Sequence, residues 1–283
     1  MLRSFCNEPN QRSVIVMTYR WTRKLAAFFV QSDPEYDSFV RKHEAKSGKQ
    51  ILFYLSFAVF PGVLAYLLIY PLRPLLMAVT GLSSHYVQFL VLAVMASGWH
   101  FLFPLFMLRF ADKLTWKEAL CYLGFRRESL KGLLLVLPLI TLLFTALSLP
   151  YMKWVFPSLS SFLNAIPALH MGEWHIFNQG YYDFPWPLLL IGIIGNFIGE
   201  EVYFRGYLLK KIGRLRFDWL ILSILFQFYH MWQAPMNWAF IPLAVIIPCE
   251  ILVKLRKNIY GAILFHIFIN TIWGAITLYL VGV

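Results

Sequence analysis

From residue 51 to the C-terminus, long apolar runs alternate with short polar connections, and the runs show none of the period-two alternation of a barrel strand. Crossing a hydrocarbon core of about 30 Å takes roughly 18 to 20 apolar residues in a helix. Seven runs meet or approach that length, at residues 51–70, 85–110, 131–149, 185–207, 217–230, 239–253 and 259–280. Backbone polar groups cannot go unpaired in lipid, so spans of this kind are helices and the expected fold class is all-α: a polytopic membrane protein of about seven transmembrane helices. The fifth and sixth runs are short and share the connection 231–238, where Pro235 marks a turn; a merged re-entrant pair is the alternative.

Ahead of the spans lies a polar segment, residues 1–50. Its stretch 14–30 mixes Trp21, Leu25, Phe28 and Phe29 with Arg20, Arg23 and Lys24, which fits either a helix lying on the membrane surface or a partly ordered tail. The following stretch, 33–49, reads as solvated. The first 30 residues lack a clean apolar h-region, so the first span is expected to serve as the insertion signal. The remaining chain divides into N-terminal helices, 51–184, and a C-terminal transmembrane region, 185–283.

Composition supports a lipid-facing chain, with 59% hydrophobic residues, 14% charged and a mean hydropathy of +0.63. A net charge of +11 would point to nucleic acid in a soluble protein. Here 23 of the 25 Lys and Arg fall in the segments 1–50, 109–131, 205–216 and 254–257, leaving only Arg73 and Lys153 for the other side. Every second connection is therefore basic, which under the positive-inside rule puts the N-terminus in the cytoplasm and argues against nucleic acid as a partner. The membrane is expected to be a cell inner membrane or the endoplasmic reticulum. Cys6, Cys121 and Cys249 have no disulfide or metal spacing.

Ionisable groups inside a membrane cost about 2.5–3.5 kcal/mol each on insertion scales, so each is a functional hypothesis. Glu250 reads as structural, paired with Lys254 one turn on, and His100 as making one interhelical hydrogen bond. Glu200, Glu201, His230, His266 and Asn270 behave as a set. Adjacent glutamates diverge by about 100° around a helix and need distinct partners. Arg205, at i+4 from Glu201, supplies one and leaves Glu200 free for chemistry. His266 and Asn270 are also i, i+4, presenting two donors side by side. Such a pair can stabilise an oxyanion, while a carboxylate near a second imidazole can deprotonate water.

Glu200 to Arg205 reads EExxxR, Phe226 to His230 reads FxxxH, and His266 to Asn270 reads HxxxN. In this order the motifs resemble the CAAX protease and bacteriocin-processing family of intramembrane proteases, over roughly the C-terminal third of the chain. The resemblance implies that Glu200 and His230 activate a water, that His266 and Asn270 form the oxyanion hole, and that Arg205 and Phe226 support the site. It implies a membrane-embedded endopeptidase acting on a peptide or membrane-protein substrate, such as a lipidated C-terminus or a leader peptide. No cofactor is expected, because a Glu-Glu pair, two well-separated His and an Asn make a poor closed zinc set and Arg205 competes for Glu201. Many members carry proline shortly before the paired glutamates, where this chain has Asn196-Phe197-Ile198-Gly199. Three rivals stay open: a zinc protease of the same family, a non-catalytic scaffold or immunity protein, and a proton-coupled transporter using the buried carboxylates.

Overall fold

The structure is a computed structural model that describes residues 27–127, 129–166, 184–230 and 247–281. It is all-α, with no strand among the described residues. In chain order the helices are α1 (Pro34–Lys42), α2 (Gly48–Ile69), α3 (Arg73–Thr80), α4 (Ser84–Ala111), α5 (Trp116–Leu123), α6 (Gly132–Leu163), α7 (Trp186–Lys211), α8 (Asp218–Tyr229), α9 (Ile247–Arg256) and α10 (residues 260–281). Four of these, α2, α4, α6 and α7, are long and apolar enough to cross a membrane. The other three expected spans coincide with α8, the described part of α9, and α10. The chain is an integral membrane protein; the surface helix considered for residues 14–30 and the Pro235 turn lie outside the described residues, apart from residues 27–30.

The third span runs further than the sequence indicated. Its expected end is residue 149, yet α6 continues to Leu163 and spans 32 residues, roughly 48 Å at 1.5 Å per residue. Pro150 removes one backbone donor, and a π-helical turn over Tyr151–Val155 takes up the misfit.

α7 is the axis of the bundle, with α2, α4, α5, α8, α9 and α10 packed against it. Its residues from Gly199 to Lys211 are buried all round, as expected of a helix surrounded on every face. Two glycines set how closely the neighbours approach. A side-chain carbon on Gly199 would lie 2.3 Å from the Ala96 carbonyl oxygen of α4, and one on Gly62 of α2 would lie 2.0 Å from that of Tyr229 on α8. Small residues at such crossings let backbones touch, and both crossings adjoin candidate residues.

All four basic segments meet at one end of the bundle. Arg126 pairs with Asp33, Lys211 with Asp112 (2.5 Å), Lys254 with Asp218 (2.7 Å) and Lys257 with Asp37 (2.8 Å). The solvated reading of 33–49 is corrected here. α1 is a helix capped by the Asp33 carboxylate, with Tyr36 buried and its hydroxyl donating to the Tyr122 carbonyl; the Ala45 N–H bonds the Lys211 carbonyl at 2.9 Å. The apolar content of α1 is too sparse to mark burial, because its partners come from α5 and α7. The Glu250–Lys254 pairing is corrected as well: Lys254 reaches across to Asp218 on α8, and Glu250 points the other way, to Arg205.

Candidate active site

Glu200 and Glu201 form a short ordinary helical step between two π-helical turns, Gly195–Gly199 and Val202–Leu208. A third covers Ile269–Trp273, around Asn270. The described helices carry seven such turns, and at these three the extra residue per turn re-aims the candidate side chains on either side.

The two glutamates do diverge. Glu201 Oε1 accepts from Arg205 Nη1 at 3.1 Å, as the i, i+4 spacing required, and Arg205 Nε donates to Glu250 Oε1 at 2.8 Å. All three side chains are fully buried, and the guanidinium lies 4.2 Å from the centre of the Phe226 ring. A buried cation is thus shared by two carboxylates and covered by an aromatic face, which offsets a desolvation cost that no single partner would cover.

Glu200 faces neutral groups. Its Oε1 accepts from the Asn196 amide at 3.3 Å and from the Tyr229 hydroxyl at 3.4 Å. Its Oε2 has no hydrogen-bond partner among the described residues. The expectation of distinct partners holds only in part, because His266 stands between the glutamates: Nδ1 lies 2.9 Å from Glu201 Oε1, and Nε2 lies 3.9 Å from Glu200 Oε2.

Asn270 completes the row. Its amide nitrogen is 3.0 Å from His266 Nε2 and 3.1 Å from Asn196 Oδ1. Glu200 and His266 are buried, whereas Asn196 is half-buried and Asn270 exposed. The cluster is therefore sealed at its Arg205 end and open at its Asn270 end.

His230 closes α8. Its Nδ1 lies 2.7 Å from the Phe226 carbonyl, one of the orphan acceptors of a helix end. A carbonyl can only accept, so Nδ1 carries the proton and the lone pair of the neutral ring sits on Nε2. The ring packs edge-on against Phe226 and Tyr229, with centroids 4.5 and 4.9 Å apart. This geometry makes Nε2 a proton acceptor.

Three participants escaped the sequence reading. Asn196, one turn before Glu200 inside an apolar span, carried a visible signal. Tyr229 and the Arg205–Glu250 bond did not. His100 departs from expectation, since neither ring nitrogen has a hydrogen-bond partner among the described residues and the ring packs instead against Tyr203 at 5.0 Å.

A bundle of apolar helices enclosing a connected row of carboxylate, imidazole and carboxamide groups defines an integral membrane protein with ionisable chemistry inside its spans. Within that class, residues 182–272 match the family described as Type II CAAX prenyl endopeptidase Rce1-like. The match covers about a third of the chain, and over that stretch it agrees with the CAAX protease family that the three motifs resemble. Neither the curated proteins nor the solved structures gave a match.

Proposed function

We propose that the protein is an intramembrane endopeptidase that hydrolyses a peptide bond with a water activated by Glu200 and His230, CAAX-type substrates being the class the family match favours. The observation that carries the reading is the setting of Glu200, which faces amide and hydroxyl donors where Glu201 and Glu250 share a guanidinium. One carboxylate oxygen is held by Asn196 and Tyr229, and the other is buried beside His266 without a donor among the described residues. A carboxylate so placed is oriented but has a lone pair left for the proton of water. The water oxygen adds to the scissile carbonyl, and its proton passes to Glu200 and then to the departing amine. The oxyanion takes its hydrogen bond from Asn270, whose amide turns from His266 Nε2 toward the incoming oxygen; His266 becomes a second donor when Nε2 is protonated.

The donor set argues for catalysis without metal. Glu201 Oε1 is already shared by Arg205 and His266, and His266 Nε2 faces an amide nitrogen, so these groups do not converge on one cation. Under the positive-inside rule the basic end of the bundle is cytoplasmic, with seven spans and the N-terminus inside. An impermeant thiol reagent added to intact cells should then label a cysteine at the C-terminus and miss one at Arg126.

The deciding experiment is cleavage of a prenylated CaaX peptide by the purified full-length protein, with and without chelator, beside Glu200→Gln. Chelator should leave turnover intact. Glu200→Gln keeps shape and hydrogen bonding but accepts no proton, so turnover should fall by about 10² or more with the fold retained. Near-normal turnover in the glutamine variant would remove the base from the reading, and zinc-restorable activity would replace it with a metalloprotease.

A further inference from the structure

We propose that Asn196 is a positioning residue: its carboxamide joins Glu200 to the His266–Asn270 pair and holds the Asn270 amide with its NH₂ toward His266 Nε2. The inference rests on the reading of Glu200 as the base, and it adds a residue outside the three motifs.

Polarity follows from the far end of the row. Glu201 Oε1 already accepts from Arg205, and an ionised carboxylate offers only acceptors, so the facing Nδ1 of His266 carries a proton. For the neutral ring, Nε2 is then an acceptor. Asn270 must turn its NH₂ toward it rather than its oxygen. An NH₂ has two hydrogens, and the second points to Asn196 Oδ1 at 3.1 Å. Asn196 therefore presents its oxygen to Asn270 and its own NH₂ to Glu200 Oε1, where a carboxylate can accept it. Every link in the row agrees on one direction. Turning either amide over sets oxygen against carboxylate or NH₂ against NH₂, so the two carboxamides are fixed as a unit, an orientation that shape alone would not settle.

Position supports the assignment. Asn196 sits one turn before Glu200, within the π-helical turn Gly195–Gly199, and is the side chain that bridges α7 to Asn270 on α10. Gly195 and Gly199 flank it. A side-chain carbon on either would lie 2.3 Å from an atom of α4, Ser97 Oγ or the Ala96 carbonyl oxygen, so one face of this turn is pressed against α4 while Asn196 faces the site. The mechanism uses one carboxylate and one amide donor on different helices, and Asn196 holds both.

Two variants separate positioning from folding. Asn196→Asp keeps the size and the acceptor but loses the donor to Glu200; Asn196→Leu has neither. Each should lower kcat on a prenylated CaaX peptide about tenfold while KM stays within about twofold, the scale of one lost hydrogen bond at a reacting group. In an Asn270→Ala background Asn196→Leu should cost less than it does in the parent, since the part of its loss that runs through Asn270 is already gone while the bond to Glu200 remains to be lost. A second readout needs no substrate. In protein labelled with ¹⁵N-histidine, with His266 assigned through His266→Gln, the parent should show Nδ1 protonated and Nε2 bare but hydrogen-bonded, and Asn196→Leu should shift the Nε2 resonance as the bond from Asn270 loosens. Unchanged kcat, or losses that multiply fully with Asn270→Ala, would overturn the proposal for a cleaving enzyme. If the parent cleaves nothing, the endopeptidase reading fails on its own and the histidine spectrum decides: an unshifted His266 in Asn196→Leu sinks the positioning role.

Discussion

The row of polar groups has two ends built on opposite terms. At the closed end, Glu201, Arg205 and Glu250 are joined by two charged bonds at zero exposure, under the face of Phe226. At the open end the hydrogen bonds to Glu200 from the described residues come from neutral donors, Asn196 and Tyr229, and the row continues to an exposed Asn270. Adjacent residues of one type thus hold different positions, and the cause is geometric. One step along α7 turns a carboxylate from a cation toward amides. A carboxylate held by a buried guanidinium loses that attraction when it takes a proton, whereas a carboxylate oriented by weak neutral bonds does not. The closed end is expected to govern stability, and the open end turnover.

The largest effect should come from breaking the closed end. Arg205→Met leaves Glu201 and Glu250 buried near each other without their shared cation, a change that in comparable buried pairs costs about 3–5 kcal/mol. The measurement is the yield and melting temperature of detergent-purified protein. Arg205→Lys should recover only part of the loss, because one ammonium does not reproduce the separate Nε and Nη1 contacts. A variant that folds normally without the guanidinium would show that the closed end does not hold the bundle.

At the other end, Asn270→Ala should reverse the pattern. Removing one oxyanion donor typically lowers turnover by about 10² to 10³. Asn270 is exposed and each of its partners keeps another bond, His266 to Glu201 and Asn196 to Glu200, so the melting temperature should scarcely move. Turnover on a prenylated CaaX peptide beside a thermal melt checks both halves. A variant that loses stability in proportion to activity would collapse the distinction between the ends.

Glu250→Gln sharpens the closed end at a smaller scale. It keeps an acceptor for Arg205 Nε but removes one of the two charges, and charge-assisted bonds of this type contribute about 1.5–3 kcal/mol. The melting temperature should fall, with kcat/KM unchanged wherever the protein stays folded. An equal loss in kcat/KM at low temperature would make Glu250 part of the chemistry.

How much of this was readable beforehand depends on how local each signal is. Four spans were legible because a 20-residue apolar run admits few other structures, and the Glu201–Arg205 pair because i, i+4 spacing places both on one face. The continuation of α6 past Pro150 was hidden: proline usually ends a helix, and the π-helical turn that absorbs it leaves no trace in composition. The burial of α1 and the Arg205–Glu250 bond rest on contacts 45 or more residues apart in the chain, which spacing cannot reveal. Asn196 stood between these cases. An amide one turn from a glutamate in an apolar span was visible, but its link to Asn270 required knowing that α7 and α10 are neighbours.

The smallest effect tests the open end where it is most finely set. Tyr229 donates to the same oxygen of Glu200 that Asn196 engages, and its backbone carbonyl is the one pressed against Gly62. The hydroxyl is therefore delivered to Glu200 by a rigid crossing of α2 and α8. Tyr229→Phe deletes only that O–H, keeps the ring against His230 and Phe204, and should cost about 0.5–1.5 kcal/mol of orientation, or roughly two- to tenfold in kcat. KM and the melting temperature should stay near the parent values. Pushing the crossing apart with Gly62→Ala should reproduce the kcat loss by moving Tyr229 as a whole, and adding Tyr229→Phe to it should then change little. If the two losses multiply instead, the crossing acts on the bundle at large and Tyr229 is not the route by which α2 reaches the base.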